Sequence, residues 1–206
     1  VIVNSLNIGA EAYAEMGLSL VGIDCDLGEA SVQIASDSYS IGELATRRLI
    51  DDGCSRILCL RSNSRMRMPA NKRTDAYLDV VEQAGLPALV REVEFVKPDD
   101  EKSAVVAKIL DENPDIDGIF AGDDTMAAIC LNVMKQRGLS APGDIKVVGA
   151  DGARRTMTFM PDLTTVRQDI DRIGELAAQS IIALINGEKP ESNIKLPVEL
   201  IEGKTA

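Results

Sequence analysis

Apolar and polar positions along the chain follow two periods, which predict strands and helices in turn. Short apolar runs, typical of strands buried on both faces of a parallel sheet, lie at residues 18–24 (LSLVGID), 56–60 (RILCL), 118–121 (GIFA) and 145–149 (IKVVG). Between several of these runs, apolar residues recur every three to four positions, which indicates amphipathic helices. The alternation predicts an α/β protein with a parallel sheet and helices on both of its faces.

The remaining elements follow from the same periods and from the residues that end them. The predicted helices end at a glycine or an Asn-Pro pair and cover residues 10–16, 41–52, 72–84, 102–112, 125–137 and 171–186. Further strands or extended segments are predicted at residues 1–3, 31–35, 90–96, 163–168 and 195–201. Pro197 in the last of these indicates an edge position or a strand start. The stretches 62–71 and 154–161 are predicted to be loops.

Composition limits the functions that are open to this chain. Its 206 residues predict one large domain or two small lobes, and no apolar run approaches the ~18 residues of a membrane span. The formal charge of -11 predicts repulsion from nucleic acid. Histidine is absent, which excludes a Ser-His-Asp triad and a histidine metal site. The four cysteines form no CxxC motif, and we expect reduced, buried or semi-buried thiols, as in a cytosolic protein.

Two acidic clusters follow predicted buried strands. Asp123 and Asp124 come after residues 118–121, and Asp151 comes after residues 145–149. Ligands of open parallel sheets bind beyond the carboxyl ends of the strands, so these acids converge on one crevice if the strands are neighbours. Clustered carboxylates can hold Mg²⁺, which leaves a magnesium-dependent enzyme open as a remote alternative. Neither a nucleophile–base pair nor a Gly-rich phosphate loop accompanies the acids.

Six phrases, in order, resemble the effector-binding core of LacI/GalR-type transcriptional regulators. They are SYSIGELATRRLIDDGCSRILCL, NKRTDAYLDVVEQAGL, DGIFAGDDTMAAICLNVMKQRGL, SAPGDIKVVGADG, PDLTTVRQDIDRIGELAAQSIIALINGE and LPVELIEGKTA. The resemblance covers nearly the whole chain from about residue 31. It implies the two-lobed periplasmic-binding-protein-like α/β fold and the function of a domain that senses a sugar or sugar-like effector. A periplasmic sugar-binding protein of a transporter, which has the same fold, is the alternative.

The resemblance also implies how the chain is divided. Residues 38–164 with 191–206 would form the C-terminal lobe, residues 1–37 with 165–190 would be a remnant of the N-terminal lobe, and the crossovers would lie near Asp37, Thr165 and Ser192. Family members begin with a helix-turn-helix headpiece and a hinge helix. Because this chain starts at Val1, inside an apolar run, we expect an N-terminally truncated piece of a cytoplasmic, homodimeric repressor. DNA would be contacted only through the missing headpiece.

Four candidate effector-binding residues come from the resemblance. Arg73 matches the family's ligand-clamping arginine, and Asp123 and Asp151 match residues that accept hydrogen bonds from ligand hydroxyls. Gln168 matches a crossover glutamine that either contacts the ligand or pins the hinge. Asp124 is expected instead to cap the helix that follows it.

Two further residues complete the predicted site. Phe95 and Tyr39 are the candidate rings for stacking on a sugar, and Ser62 belongs to a loop, residues 61–65, that is expected to face the cleft. The arginines of this loop leave a sugar phosphate open beside a neutral sugar or polyol, with solvated loop charges as the alternative. We expect no cofactor, no metal and no catalytic activity.

Overall fold

The structure, a computed structural model, describes residues 1–4, 13, 18–25, 27, 31–63, 70–94 and 96–206. These residues form two sheets, a larger one with several helices packed against it and a smaller one with a single described helix. Most of the helix predicted at residues 10–16, and the candidate ring of Phe95, lie outside the described residues.

The larger sheet has six strands and carries most of the chain. Its order is β10 (Val198–Ile201), β8 (Thr164–Gln168), β7 (Lys146–Asp151), β6 (Gly118–Ala121), β4 (Ile57–Asn63) and β5 (Leu89–Glu94). The strands β4 to β8 are parallel to one another, and β10 runs antiparallel to β8 at one edge. Since β4, β6 and β7 stand side by side, their carboxyl ends meet at one edge of the sheet.

Helices cover both faces of this sheet. They are α1 (Ser38–Asp51), α2 (Asn71–Gln83), α3 (Asp99–Glu112), α4 (Asp124–Gln136) and the short α5 (Arg154–Phe159). Phe120 packs with Tyr77 of α2 and the apolar side of α1, while its neighbour Ile119 packs with Val106 of α3 and Met134 of α4. Because successive side chains of a strand point to opposite faces, a strand covered on both sides is apolar throughout.

The smaller sheet has four parallel strands. They are β1 (Ile2–Asn4), β2 (Val21–Ile23), β3 (Val32–Ser36) and β9 (Asn193–Leu196), in that order. Helix α6 (Ile170–Ile185) packs on β2 and β3, with Ile173 and Ala177 buried against Val21 and Ile34.

The chain passes between the two sheets three times. The passages follow β3, near the expected Asp37, then β8 and then β9. The second and third lie a few residues beyond the expected Thr165 and Ser192. All of β8 pairs with β10 or β7 in the larger sheet, and β9 pairs with β3 in the smaller one.

The predicted α/β fold is confirmed, and three local predictions are wrong. Residues 154–161 contain α5, and Ser62 and Asn63, which were predicted to lie in a loop, belong to β4. Residues 195–201 are two strands of different sheets. Pro197, which has no N–H to donate to a ladder, separates them.

Two further features concern the described helices and the cysteines. None of the described helices has the length and apolar character that crossing a membrane requires. All four cysteines are buried, and burial raises the pKa of the Cys59 and Cys130 thiols to about 12.

Candidate functional site

A cavity of about 250 Å³ opens at the carboxyl ends of β4, β6 and β7. Its lining residues are Ser62, Lys102, Asp123, Thr125, Met126, Ile129 and Asp151. Three of the residues predicted from the sequence, Ser62, Asp123 and Asp151, therefore lie around one space. The neighbouring positions of β4, β6 and β7 explain why the ends of separate sequence segments meet there.

Arg73 connects this cavity to the first turn of α2. One guanidinium nitrogen donates to the carbonyl oxygen of Gly122 at 2.5 Å, and another donates to Oδ1 of Asp151 at 3.3 Å. The side chain is only 11% exposed. A Cβ on Gly42 of α1 would collide with the backbone of Arg73, so a glycine at that position lets α1 and the start of α2 approach each other. This close approach fixes the backbone from which the side chain of Arg73 extends.

Asp123 is both the cap of α4 and a wall of the cavity. Its backbone is extended, Oδ1 accepts from the backbone N–H of Met126 at 2.8 Å, and Oδ2 accepts from the Ser62 hydroxyl at 3.2 Å. The prediction that Asp124 caps this helix is wrong. The cap is the last extended residue before the helix, and Asp124 already belongs to the helix.

Asp124 has a different environment from its neighbour. It is 3% exposed, and its carboxylate accepts from the N–H of Gly152 at 2.8 Å and from the Thr165 hydroxyl at 2.6 Å. Burial raises the pKa of Asp124, while these two hydrogen bonds act to lower it. The carboxylate thus joins the start of α4 to the end of β7 and to β8.

Asp151 is an acid of the cavity whose pKa is raised by burial. Oδ1 accepts from the Gln168 amide at 2.5 Å as well as from Arg73. Burial raises the pKa of Asp151 to about 6; Arg73 opposes this shift, and the nearby charges of Asp123 and Asp124 add to it. The backbone of Asp151 has a φ of 118°, which is unusual for a residue other than glycine.

Gln168 and Phe95 complete the predicted set. Gln168 is buried and reaches Asp151, but it lines a second cavity, of about 770 Å³, between α5, β10 and the start of α6. Gln168 thus contacts Asp151 beside the crossover, and its predicted ligand contact stays a prediction. Phe95 lies outside the described residues, so its predicted ligand contact stays a prediction.

Two charged residues of the site were missed from the sequence. Asp24 follows β2 of the smaller sheet with a φ of 50°; burial raises its pKa and the charge of Arg73 lowers it. It ends an apolar strand as Asp151 does, so the same signal could have found it. Lys102 of α3 lines the cavity with a side chain that is 12% exposed. Its inward direction depends on the packing of α3, which the sequence pattern does not reveal.

The cavity presents carboxylate oxygens, which accept hydrogen bonds and are held in place by donors of the protein. Among the described residues, no cluster of three or more acids or cysteines has the arrangement of a metal site. Ionised Asp123 and Asp151 each have lone pairs beyond those used by their protein donors, and a carboxylate can accept from several hydroxyls. A molecule rich in hydroxyl groups matches this arrangement.

Comparison with known proteins supports a specific family. A family model described as a periplasmic binding protein-like domain matches residues 46–206. The sucrose operon repressor of Pediococcus pentosaceus is 31% identical over 208 residues, which cover 100% of this chain and 64% of the relative. The ribose operon repressor of Halalkalibacterium halodurans is 29% identical over 207 residues, which cover 100% of this chain and 61% of the relative. The chain thus spans somewhat less than two thirds of these relatives.

Solved structures agree with the sequence relatives. The transcriptional regulator CelR in complex with cellobiose has a TM-score of 0.89 at 27% identity, with 100% of this chain and 65% of that one covered. A LacI-family transcriptional regulator from Corynebacterium glutamicum has a TM-score of 0.88 at 25% identity, with 100% of this chain and 67% of that one covered.

Proposed function

Since the chain belongs to the periplasmic binding protein-like family and has the fold of LacI/GalR effector-binding domains, we propose that it is the effector-sensing domain of a transcriptional regulator. Two relatives are named as repressors of a sucrose and a ribose operon, and one similar structure is a cellobiose complex. These names support a sugar or sugar-like effector. They also favour a regulator over a transport protein of the same fold.

The observation that carries the proposal is the pair of acids at the cavity. Asp123 and Asp151 come from the ends of neighbouring strands, border one space of about 250 Å³, and are each held by protein donors. Arg73 reaches Asp151 from α2. Acceptors that are fixed in this way can select a ligand by the positions of its hydroxyl groups. Because the side chains are already held in place, binding orders few of them.

The charges around the cavity favour an uncharged ligand. Two carboxylates and one ammonium line it, and the ammonium of Lys102 lies 3.3 Å from Oδ1 of Asp99. Of the two loop arginines that left an anionic ligand open, Arg61 pairs with Glu92, and Arg65 lies outside the described residues. Among the described residues that line the cavity, a phosphate group would meet the charges of Asp123 and Asp151 and the single ammonium of Lys102. We therefore propose a neutral sugar or polyol in preference to a sugar phosphate.

The arrangement of the two sheets suggests how binding is transmitted. In our proposal the larger sheet with α1 to α5 is the C-terminal lobe, and the smaller sheet with α6 is part of the N-terminal lobe. Arg73 interacts with Asp151 of the larger sheet and with the charge of Asp24 of the smaller one. An effector that binds one arrangement of the lobes more tightly shifts the protein towards it. Coupling energies between such sites are typically ~1–3 kcal/mol.

The remaining parts of the proposal concern the whole regulator. It would bind operator DNA through a segment outside this chain, act as a homodimer in the cytoplasm, and catalyse no reaction. The formal charge of -11 supports a DNA contact that lies elsewhere.

A thermal-shift screen tests the proposal. The wild-type chain is heated with sucrose, ribose, cellobiose and lactose, and with glucose 6-phosphate and ribose 5-phosphate. A ligand at 100 times its dissociation constant stabilises a protein by about 2.7 kcal/mol, which such a screen detects. We expect a neutral sugar to raise the melting temperature of the wild type but not that of Asp151→Ala.

The matched control is Asp51→Ala, which removes an exposed acid at the end of α1 and should respond as the wild type does. Binding of the phosphate esters alone would contradict the neutral ligand. A lack of response to every compound would contradict sugar sensing by this chain.

A further inference from the structure

A buried carboxylate outside the cavity holds the backbone that presents Asp151. Asp124 is not among the residues that line the cavity, and its two side-chain oxygens accept from different elements. Oδ2 accepts from the N–H of Gly152, which immediately follows Asp151, and Oδ1 accepts from the hydroxyl of Thr165 on β8. One side chain therefore fixes both strands that carry Asp151 and Gln168.

The glycines of the GADG segment, residues 149–152, leave room for this carboxylate. A Cβ on Gly149 would lie 2.5 Å from Oδ1 of Asp124, so β7 and α4 approach as closely as they do only with glycine there. Gly152 has a φ of 59°, and a Cβ on it would lie 2.7 Å from the Cβ of Arg167. The turn is thus shaped around the carboxylate and the neighbouring strand.

The conformation of Asp151 requires such support. A φ of 118° is costly for a residue with a Cβ and persists only when the surrounding structure imposes it. The following N–H is the donor that Asp124 holds at 2.8 Å. On the other side, the carboxylate of Asp151 is held by Gln168 and Arg73. The backbone after Asp151 and its side chain are therefore fixed by separate residues.

We propose that Asp124 is a positioning residue for effector binding, which holds the Gly152 turn so that the carboxylate of Asp151 faces the cavity. The proposal deepens the proposed function. The role of Asp124 in effector binding rests on that function, whereas its role in holding the Gly152 turn does not. Burial of an ionisable side chain is costly unless hydrogen bonds compensate for it, and both oxygens of Asp124 are compensated. A buried acid that served only to stabilise the fold would have no selective effect on the turn or on Asp151.

The first test follows the amide hydrogens and requires no ligand. Hydrogen exchange of the full chain is measured by NMR for the wild type, Asp124→Ala, Asp124→Asn and Thr165→Val. We expect Asp124→Ala to speed exchange at Gly152 by at least about 10-fold, since a hydrogen bond to a charged group is lost. Exchange at Val148, inside β7, should change much less.

The other two variants separate the two hydrogen bonds. Thr165→Val removes only the hydroxyl donor, so exchange at Gly152 should stay within about 2-fold of the wild type. Asp124→Asn keeps an oxygen but not the charge, and neutral hydrogen bonds are roughly half as strong, so an intermediate rise of about 3-fold is expected. If Asp124→Ala does not fold, Asp124→Asn decides the question. Unchanged exchange at Gly152, or an equal rise throughout β7, overturns the proposal.

The second test asks whether Asp124 acts through Asp151. Binding of sucrose is measured by calorimetry for Asp124→Ala, Asp151→Ala and the double variant. If Asp124 positions Asp151, each single change lowers affinity by about 10-fold or more, and the double variant binds no more weakly than Asp151→Ala. Additive losses overturn the proposal. A wild type that binds no sucrose or other sugar of the panel counts against the proposed function alone, because exchange at Gly152 still tests the turn.

Discussion

The side-chain amide of Gln168 donates a hydrogen bond to Oδ1 of Asp151 at 2.5 Å. The two residues end neighbouring parallel strands, β8 and β7. Just beyond Gln168 the chain enters α6, which packs on the smaller sheet. The hydrogen bond thus connects an acid of the proposed effector site to the crossover between the two sheets.

Replacing Gln168 by leucine should weaken effector binding. The change removes the donor that holds Asp151 while keeping a side chain of similar size. A hydrogen bond to a charged group contributes roughly 1.5–3 kcal/mol, so we expect the dissociation constant of the sugar to rise by about 10-fold or more. Calorimetry measures it. Gln83→Leu, at the exposed end of α2, is the control, and equal affinities of the two variants would count against a role for Gln168.

Arg73→Lys should be far from conservative. The guanidinium donates to Gly122 and to Asp151 at the same time, and a lysine ammonium at the end of a flexible stem does not reproduce this fork. We expect sugar affinity to fall by about 10-fold or more. The same titrations with Arg47→Lys, whose partner Glu43 is an exposed neighbour on α1, should show no change.

Removing the charge of Arg73 should also change the ionisation of Asp151. Arg73 lowers the pKa of this acid against the effect of burial. Arg73→Ala should therefore move the pKa of Asp151 above its wild-type value of about 6. Carbon-13 NMR of the aspartate carboxyl groups follows this titration. A downward shift would show that the guanidinium does not act on Asp151 as described.

Effector binding should strengthen as the pH rises through about 6. Asp151 has a pKa of about 6 in the folded protein against an ordinary value of 3.8. Its ionised form accepts more hydrogen bonds from hydroxyls, so affinity should increase between about pH 5 and about pH 7.

The stability of the ligand-free protein changes in the opposite direction. The folded state holds the proton of Asp151 more tightly than the unfolded chain does. The stabilisation that this gives the folded state is therefore present below about pH 4 and is lost as the pH rises through about 6.

Calorimetry over this pH range measures the first effect, and urea unfolding over the same range measures the second. Asp151→Asn has no proton to exchange at this position, so its binding should be weaker and nearly independent of pH. A wild-type protein whose affinity is equally flat would contradict the raised pKa of Asp151.

Much of the fold could be predicted because several local signals agreed. Strand β6 was predicted with the bounds that it has, since four apolar residues stand between a loop and an acidic turn. The short helix α5 was missed because it has no buried residue and hence no apolar stripe. Pro197 was recognised as unusual, but its role as a break between sheets depends on pairings that a single run of residues does not specify.

The candidate site could be predicted only in part. The position of acids directly after predicted buried strands identified Asp123 and Asp151, and the family resemblance added Arg73. The division of roles between Asp123 and Asp124 could not be decided, because both are good capping residues and the backbone conformation selects between them. The buried partners of Asp124 are 28 and 41 residues away in sequence. Such contacts depend on the assembled sheet and leave no periodic pattern.

Gly149→Ala should destabilise the protein by about 1–3 kcal/mol, because the new methyl group has no room beside the carboxylate of Asp124 and either β7 or α4 must shift. Gly174→Ala is the matched control. Gly174 lies inside α6, where a Cβ meets nothing within 4 Å, and alanine in a helix is favoured over glycine by roughly 0.5–1 kcal/mol. Urea unfolding of the two variants measures both effects. The expected outcome is opposite shifts of the midpoint, and a Gly149→Ala protein as stable as Gly174→Ala would contradict the close approach of β7 and Asp124.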